Sequence, residues 1–283
     1  MAKDVQDGLV PAVKIAQEAA IKQAPNGVRY ATYGENNLVA ADLERMVQAV
    51  PAAIAAALGR KVYYFVPLAM SGGPDRLERE HRGGNDETMI ATAYSLEMSE
   101  RAICHRNVTL SGNDGGKEGG KEGIFISTRL LNDRFALAFE FFINVGHAFV
   151  EVAGVPESFN HLAWEQAVKD VRGETSQDAW ESRGQSLIEA RSVGPTSSPV
   201  AEHTGSRPRI DEKAKSDFLE SAFSDAVAIY QLSLSVDFDY SELREREYPL
   251  LAPQPLAERL RLAAKLFPPN PGYEFSIRYR RRA

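Results

Sequence analysis

The chain has a single cysteine, Cys104, so no disulfide can form within it. That usage fits a reducing compartment. It has no excess of basic charge: 33 Lys and Arg against 39 Asp and Glu leave a formal net charge of −6. General binding to nucleic acid or to an anionic membrane is therefore not expected. No apolar run reaches the roughly 18–20 residues of a membrane span, because 135–153 is interrupted by polar residues. The N-terminal residues carry Asp4 and Asp7 where a signal peptide would have its basic and apolar regions. The expectation is a cytoplasmic protein. What is present is ordinary for a globular domain, 43% hydrophobic and 25% charged residues over 283 positions.

The most apolar stretch is 131–153, LNDRFALAFEFFINVGHAFVEVA. At about 100° per residue it reads as a helix that is apolar almost all round, and such a helix is buried. One stripe breaks the pattern. Glu140, Asn144, His147 and Glu151 recur at i, i+4, i+7 and i+11 and share a narrow arc. Two readings stand: a sliver of the helix that faces water, with Glu and His paired one turn apart, or the lining of a site.

Around it the chain divides into a sheet-bearing first part, 1–128, and a helical second part, 129–283, read together as one domain. Helices are expected at 9–23, at 40–58 with a kink at Pro51, and at 158–171, 210–234 and 253–266. Strands are expected at 28–33, 61–70 and 123–128, and a hairpin from 87–98 and 101–111 turning at Ser99-Glu100. Residues 71–86 and 113–123 read as loops, 192–209 as a mobile insertion, and 273–280 as a strand returning to the sheet edge. The fold class is α+β: a small mixed sheet packed on a mainly helical half, with helix 134–152 buried between them.

The order of these segments resembles the core of gluzincin metallopeptidases, notably the branch containing CAAX-type prenyl endopeptidases and small bacterial relatives. The resemblance rests on GIFISTRLL, with Ser127-Thr128-Arg129-Leu130-Leu131 at the turn, then the helix with Val145-Gly146-His147. SAFSDAVAIYQL at 221–232 and Pro255-Leu256-Ala257-Glu258-Arg259-Leu260 complete it. It spans about 123–266 and implies a zincin-like fold. In that group two histidines of H-E-x-x-H bind zinc and the glutamate between them activates water. Matching His147 to the second histidine puts Ile143 at the first and Asn144 at the glutamate. The third ligand falls on Ser221, with Glu220 beside it and Asp225 retained. The resemblance thus implies a scaffold whose peptidase site is dismantled and which binds a peptide strand or protein partner.

Two alternatives remain open. In one, His147 and Glu151, one turn apart, join Glu140 and Glu220 or Asp225 in a remodelled site for zinc, iron or manganese. In the other, no cofactor is held, His147 is structural and the protein is an interaction module unrelated to peptidases. Elsewhere the bland reading prevails. Cys104 and His105 are neighbours on an expected strand and point to opposite faces. Glu80-His81 lies in a polar loop, and Gly72-Gly73 and the glycines of 115–123 lack the context of a phosphate loop.

Overall fold

The computed structural model describes residues 8–70, 88–110, 121–131, 133–187, 210–237 and 248–277. The expected loops at 71–86 and 113–123 and the expected insertion at 192–209 lie wholly or mostly outside these. Nine strands are described: β1 (Leu9–Pro11), β2 (Lys22–Gln23), β3 (Arg29–Thr32), β4 (Lys61–Val66), β5 (Leu68–Met70), β6 (Met89–Ala91), β7 (Ala102–Ile103), β8 (His105–Leu110) and β9 (Lys121–Ser127). They are interleaved with α1 (Ala12–Glu18), α2 (Ala40–Gln48), α3 (Ala52–Ala57) and the one-turn α4 (Leu96–Ser99). Then come α5 (Arg134–Ala153), α6 (Glu157–Val168), α7 (Gln177–Ser186) and two further helices, Glu212–Ser235 and Pro253–Leu266. The α+β class is as expected. There are two small sheets, however, not one: a four-stranded sheet ordered β1-β6-β5-β7 and a five-stranded one ordered β2-β3-β4-β9-β8.

By contacts the chain forms two compact units. Unit 1 is 1–144 with 234–236 and 269–274, and unit 2 holds 145–233, 237–268 and 275–283. The boundary at 144/145 falls within α5.

In unit 1 the five-stranded sheet is mixed. β3, β4 and β9 run parallel, with Tyr63 opposite Tyr30 on one side and Ile124 on the other. β2 and β8 close the edges antiparallel. β4 is buried at every position, as a central strand covered on both faces must be. Alternation sends Val62, Tyr64 and Val66 into a cluster with Ile15 of α1 and Phe125. Tyr63 and Phe65 go the other way, against Phe141 of α5, at ring-centroid distances of 5.1 and 5.6 Å.

Pro51 does more than kink the expected 40–58 helix: it divides it into α2 and α3. Carbonyls freed by the break need donors. Asn26 Nδ2 donates to Val47 O and Val50 O at 2.9 and 2.7 Å, and Asn270 Nδ2 to Gln48 O and Val50 O, both at 2.8 Å.

The hairpin expected from 87–98 and 101–111 does not form. β6 pairs with β5 and β1, whereas β8 pairs with β9. Ser95 instead caps α4, its hydroxyl accepting from Met98 N at 3.1 Å. The first expected helix, 9–23, shortens to α1 because its ends pair as β1 and β2. Residues 273–277 form no strand; Tyr273 Oη donates to Arg45 O at 2.8 Å.

α5 is the one described helix long and apolar enough to cross a membrane by length and composition, with mean hydropathy 1.5. Half of that window is buried inside the protein. Core packing on Phe141, Phe142 and Val145, all fully buried, accounts for the apolarity.

In unit 2 the helices enclose a polar centre. Glu174, fully buried, accepts from Arg259 Nη1 at 2.8 Å and Nη2 at 3.3 Å, and from Arg183 Nη1 at 3.1 Å. Arg259 Nε donates to Gln166 Oε1 at 2.8 Å, and Gln166 Nε2 to Glu258 Oε2 at 3.1 Å. The Glu174 backbone is held as well: its N–H donates to Pro249 O, and its carbonyl accepts from Leu251 N. The sequence reading finds no helix at 177–186. α7 presents Arg183 inward, not an apolar stripe, so its periodicity carries no hydrophobic signal.

Candidate functional site

The four residues of the α5 stripe part company. Asn144 is buried, and its Nδ2 donates to the Glu140 carbonyl at 2.8 Å. Glu140 pairs with His105, Oε1 to Nδ1 2.5 Å. His147 and Glu151 are exposed. Both line a cleft of about 470 Å³, together with Val150, Gly154, Val155 and, from the long helix Glu212–Ser235, Asp217, Glu220 and Ser221.

Two features of the sequence set this geometry. The long helix begins at an Asp211 cap, whose Oδ1 accepts from Lys213 N and Ala214 N at 3.0 Å. Its fully buried Phe218, Ala222, Phe223 and Ala226 face inward, leaving Asp217 and Glu220 on the outer side. Gly146 then allows close approach to α5. A Cβ on Gly146 would stand 2.6 Å from Ser224 O and 3.0 Å from Ser224 Oγ. Any side chain there forces the two helices to shift.

Of the expected site residues, the structure therefore brings together His147, Glu151 and Glu220, with Ser221. Asp225 does not join them, which corrects the expectation that it could complete a site with His147. It is buried, and its Oδ2 accepts from Thr175 Oγ1 at 2.8 Å. Its carboxyl is pushed up to about 6, chiefly by burial. Hydrogen bonds from Ser176 and Thr175 oppose the rise, Glu174 adds to it and Arg259 counters it.

A folded value above the ordinary 3.8 favours the protonated form, so the stability it contributes is present in acid. It is lost as pH rises through about 6. Asp225→Asn should match the wild type near pH ~4 and exceed it by ~1–3 kcal/mol near pH ~7.5. Urea melts of both proteins across that range check this; a constant difference would contradict it.

The donor set does not fit the gluzincin zinc. Ile143 offers no donor atom, and the Asn144 amide is engaged within its own helix. Among the described residues no three His, Cys, Asp or Glu side chains are grouped to hold a metal ion. Sequence reasoning missed two constellations. Glu174 sits in a short loop with no periodic signal. On an unbroken strand His105 and Cys104 would diverge, but Cys104 is a bend residue between β7 and β8.

Comparison of the chain with protein-family models and with curated proteins, and of its fold with solved structures, finds no match.

Proposed function

We propose that the protein is a gluzincin-like scaffold that has lost zinc-peptidase chemistry and binds a basic segment of a peptide or protein partner. The observation that supports this most is the cleft where His147 and Glu151 of α5 face Glu220 and Ser221 of the long helix. Those are the two helices that the family resemblance pairs. Among the described residues the lining contains Glu151, Asp217 and Glu220 and no Lys or Arg, so a lysine or arginine side chain is the complementary ligand. Ile143 and Asn144, at the positions of a zinc ligand and the general base, account for the loss of peptidase chemistry. A cytoplasmic setting belongs to the same proposal and rests on the single cysteine.

Fluorescence anisotropy with labelled lysine-rich and glutamate-rich peptides tests it on the full chain. The basic peptide should bind, and more weakly as salt is raised. A Glu151→Gln/Glu220→Gln protein should bind it about tenfold less tightly, a loss of ~1.4 kcal/mol. Equal affinity for both peptides would overturn the reading, as would cleavage of the bound peptide on adding zinc. Stoichiometric zinc, iron or manganese in the purified, untagged protein would favour instead an enzyme with a remodelled His147–Glu151 site.

A further inference from the structure

Another constellation lies within unit 1 and shares no residue with that cleft. Among the described residues β8 is an outer strand of the five-stranded sheet. Its first residue, His105, is 41% exposed at the side chain, and the ring's Nδ1 lies 2.5 Å from Oε1 of Glu140, itself 19% exposed. Asn144, one helical turn on, places Nδ2 3.4 Å from the same Oε1 and 2.8 Å from the Glu140 carbonyl. A buried amide thus steadies a half-buried carboxylate, which holds a half-exposed imidazole.

The chemistry of this arrangement is specific. An ionised carboxylate only accepts hydrogen bonds, so the neutral ring carries its proton on Nδ1 and keeps its lone pair on Nε2. Nε2 has no protein partner among the described residues. The same tautomer selection prepares a histidine to take a proton from a nucleophile, with the carboxylate stabilising the imidazolium that forms. The neighbouring Cys104 thiol is not that nucleophile. Burial, and then the Glu140 carboxylate, hold it above its ordinary value and keep it protonated. Water is the available one. The Glu140 charge repels an anionic group brought to Nε2, which disfavours phosphate esters and leaves neutral acyl esters.

We propose that His105 is a general base for the hydrolysis of neutral acyl esters at the outer strand, with Glu140 and Asn144 as positioning residues. Nε2 accepts a proton from water as the water oxygen bonds to the acyl carbon. The imidazolium returns that proton to the leaving alkoxide as the C–O bond breaks. Acid and alcohol are the products.

The full chain with p-nitrophenyl acetate tests this. His105→Ala should lower turnover by about a hundredfold, and so should His105→Asn, which retains an amide donor toward Glu140. Cys104→Ser should leave turnover unchanged. Glu140→Gln should reduce kcat about tenfold with KM unchanged. In ¹⁵N NMR that variant should also release the His105 proton from Nδ1 to both nitrogens. Turnover that persists in a folded His105→Asn protein, loss of turnover in Cys104→Ser, or a wild-type ring with its proton already shared between both nitrogens would overturn the proposal. The site lies in unit 1, so its failure leaves the cleft reading standing.

Discussion

Replacing Glu174 with alanine should cost about 3–5 kcal/mol of folding stability, read from the urea midpoint. The carboxylate is fully buried and accepts from two guanidiniums, those of Arg259, also fully buried, and Arg183. Removing it leaves two cations in the interior with no countercharge at their centre. The loss is mostly that penalty, not the net worth of the pairs. Glu174→Gln keeps the volume and two polar atoms but not the charge, and should fall between alanine and the wild type. Replacing Glu174, Arg183 and Arg259 together with apolar residues of similar volume should cost less than Glu174→Ala alone, because no charge is then stranded. A midpoint shift under about 1 kcal/mol for Glu174→Ala would show that the clasp is not where unit 2 holds its polar balance.

Phe141→Ala should cost a similar amount, about 3–5 kcal/mol. The ring is fully buried and meets Tyr63 edge-on at 5.1 Å, Phe65 at 5.6 Å and Phe142 at 5.2 Å. It is the contact by which the first half of α5 covers one face of β4. The neighbouring rings stand on a central strand paired on both sides, so the space left cannot collapse without breaking the ladder. Phe141→Leu fills most of that volume and should recover more than half of the loss. Thermal melts of the two variants separate these outcomes; an alanine cost near that of leucine would mean the core closes over the gap.

The two substitutions differ in how far the sequence announces them. Phe141 lies in a helix so apolar that its burial follows from composition, and α5 is found within a residue or two of its expected ends. The helix at 253–266 has the expected ends, and the strands at 28–33 and 123–128 are close to theirs, because each signal lies within its own segment. Pro51 signals a kink; whether the chain bends or breaks there depends on Asn26 and Asn270, far off in sequence, acting as donors to the freed carbonyls. The alternation in 87–98 and 101–111 is real, but a hairpin is a claim about partners. Here β5 and β9 compete for those strands and win.

The candidate cleft was legible to a similar depth. Spacing puts His147 and Glu151 one turn apart, and both line the cleft. It could not tell that Asp225, one turn beyond Ser221 on the same helix, rotates into the buried polar centre. Nor could it tell that Glu140 turns from His147 to His105, 35 positions earlier in the chain.

By itself the sequence determined the α+β class, the buried character of α5, the extents of its longest helices and the placing of His147 and Glu151 one turn apart. All of these depend on residues within a turn or two of each other. Tertiary structure alone decided which strands share a sheet, which side chains meet Glu140 and Asp225, and why Arg259 is buried. A buried polar group takes whatever complementary partner the fold brings within about 3 Å, and no local pattern encodes which distant residue that is.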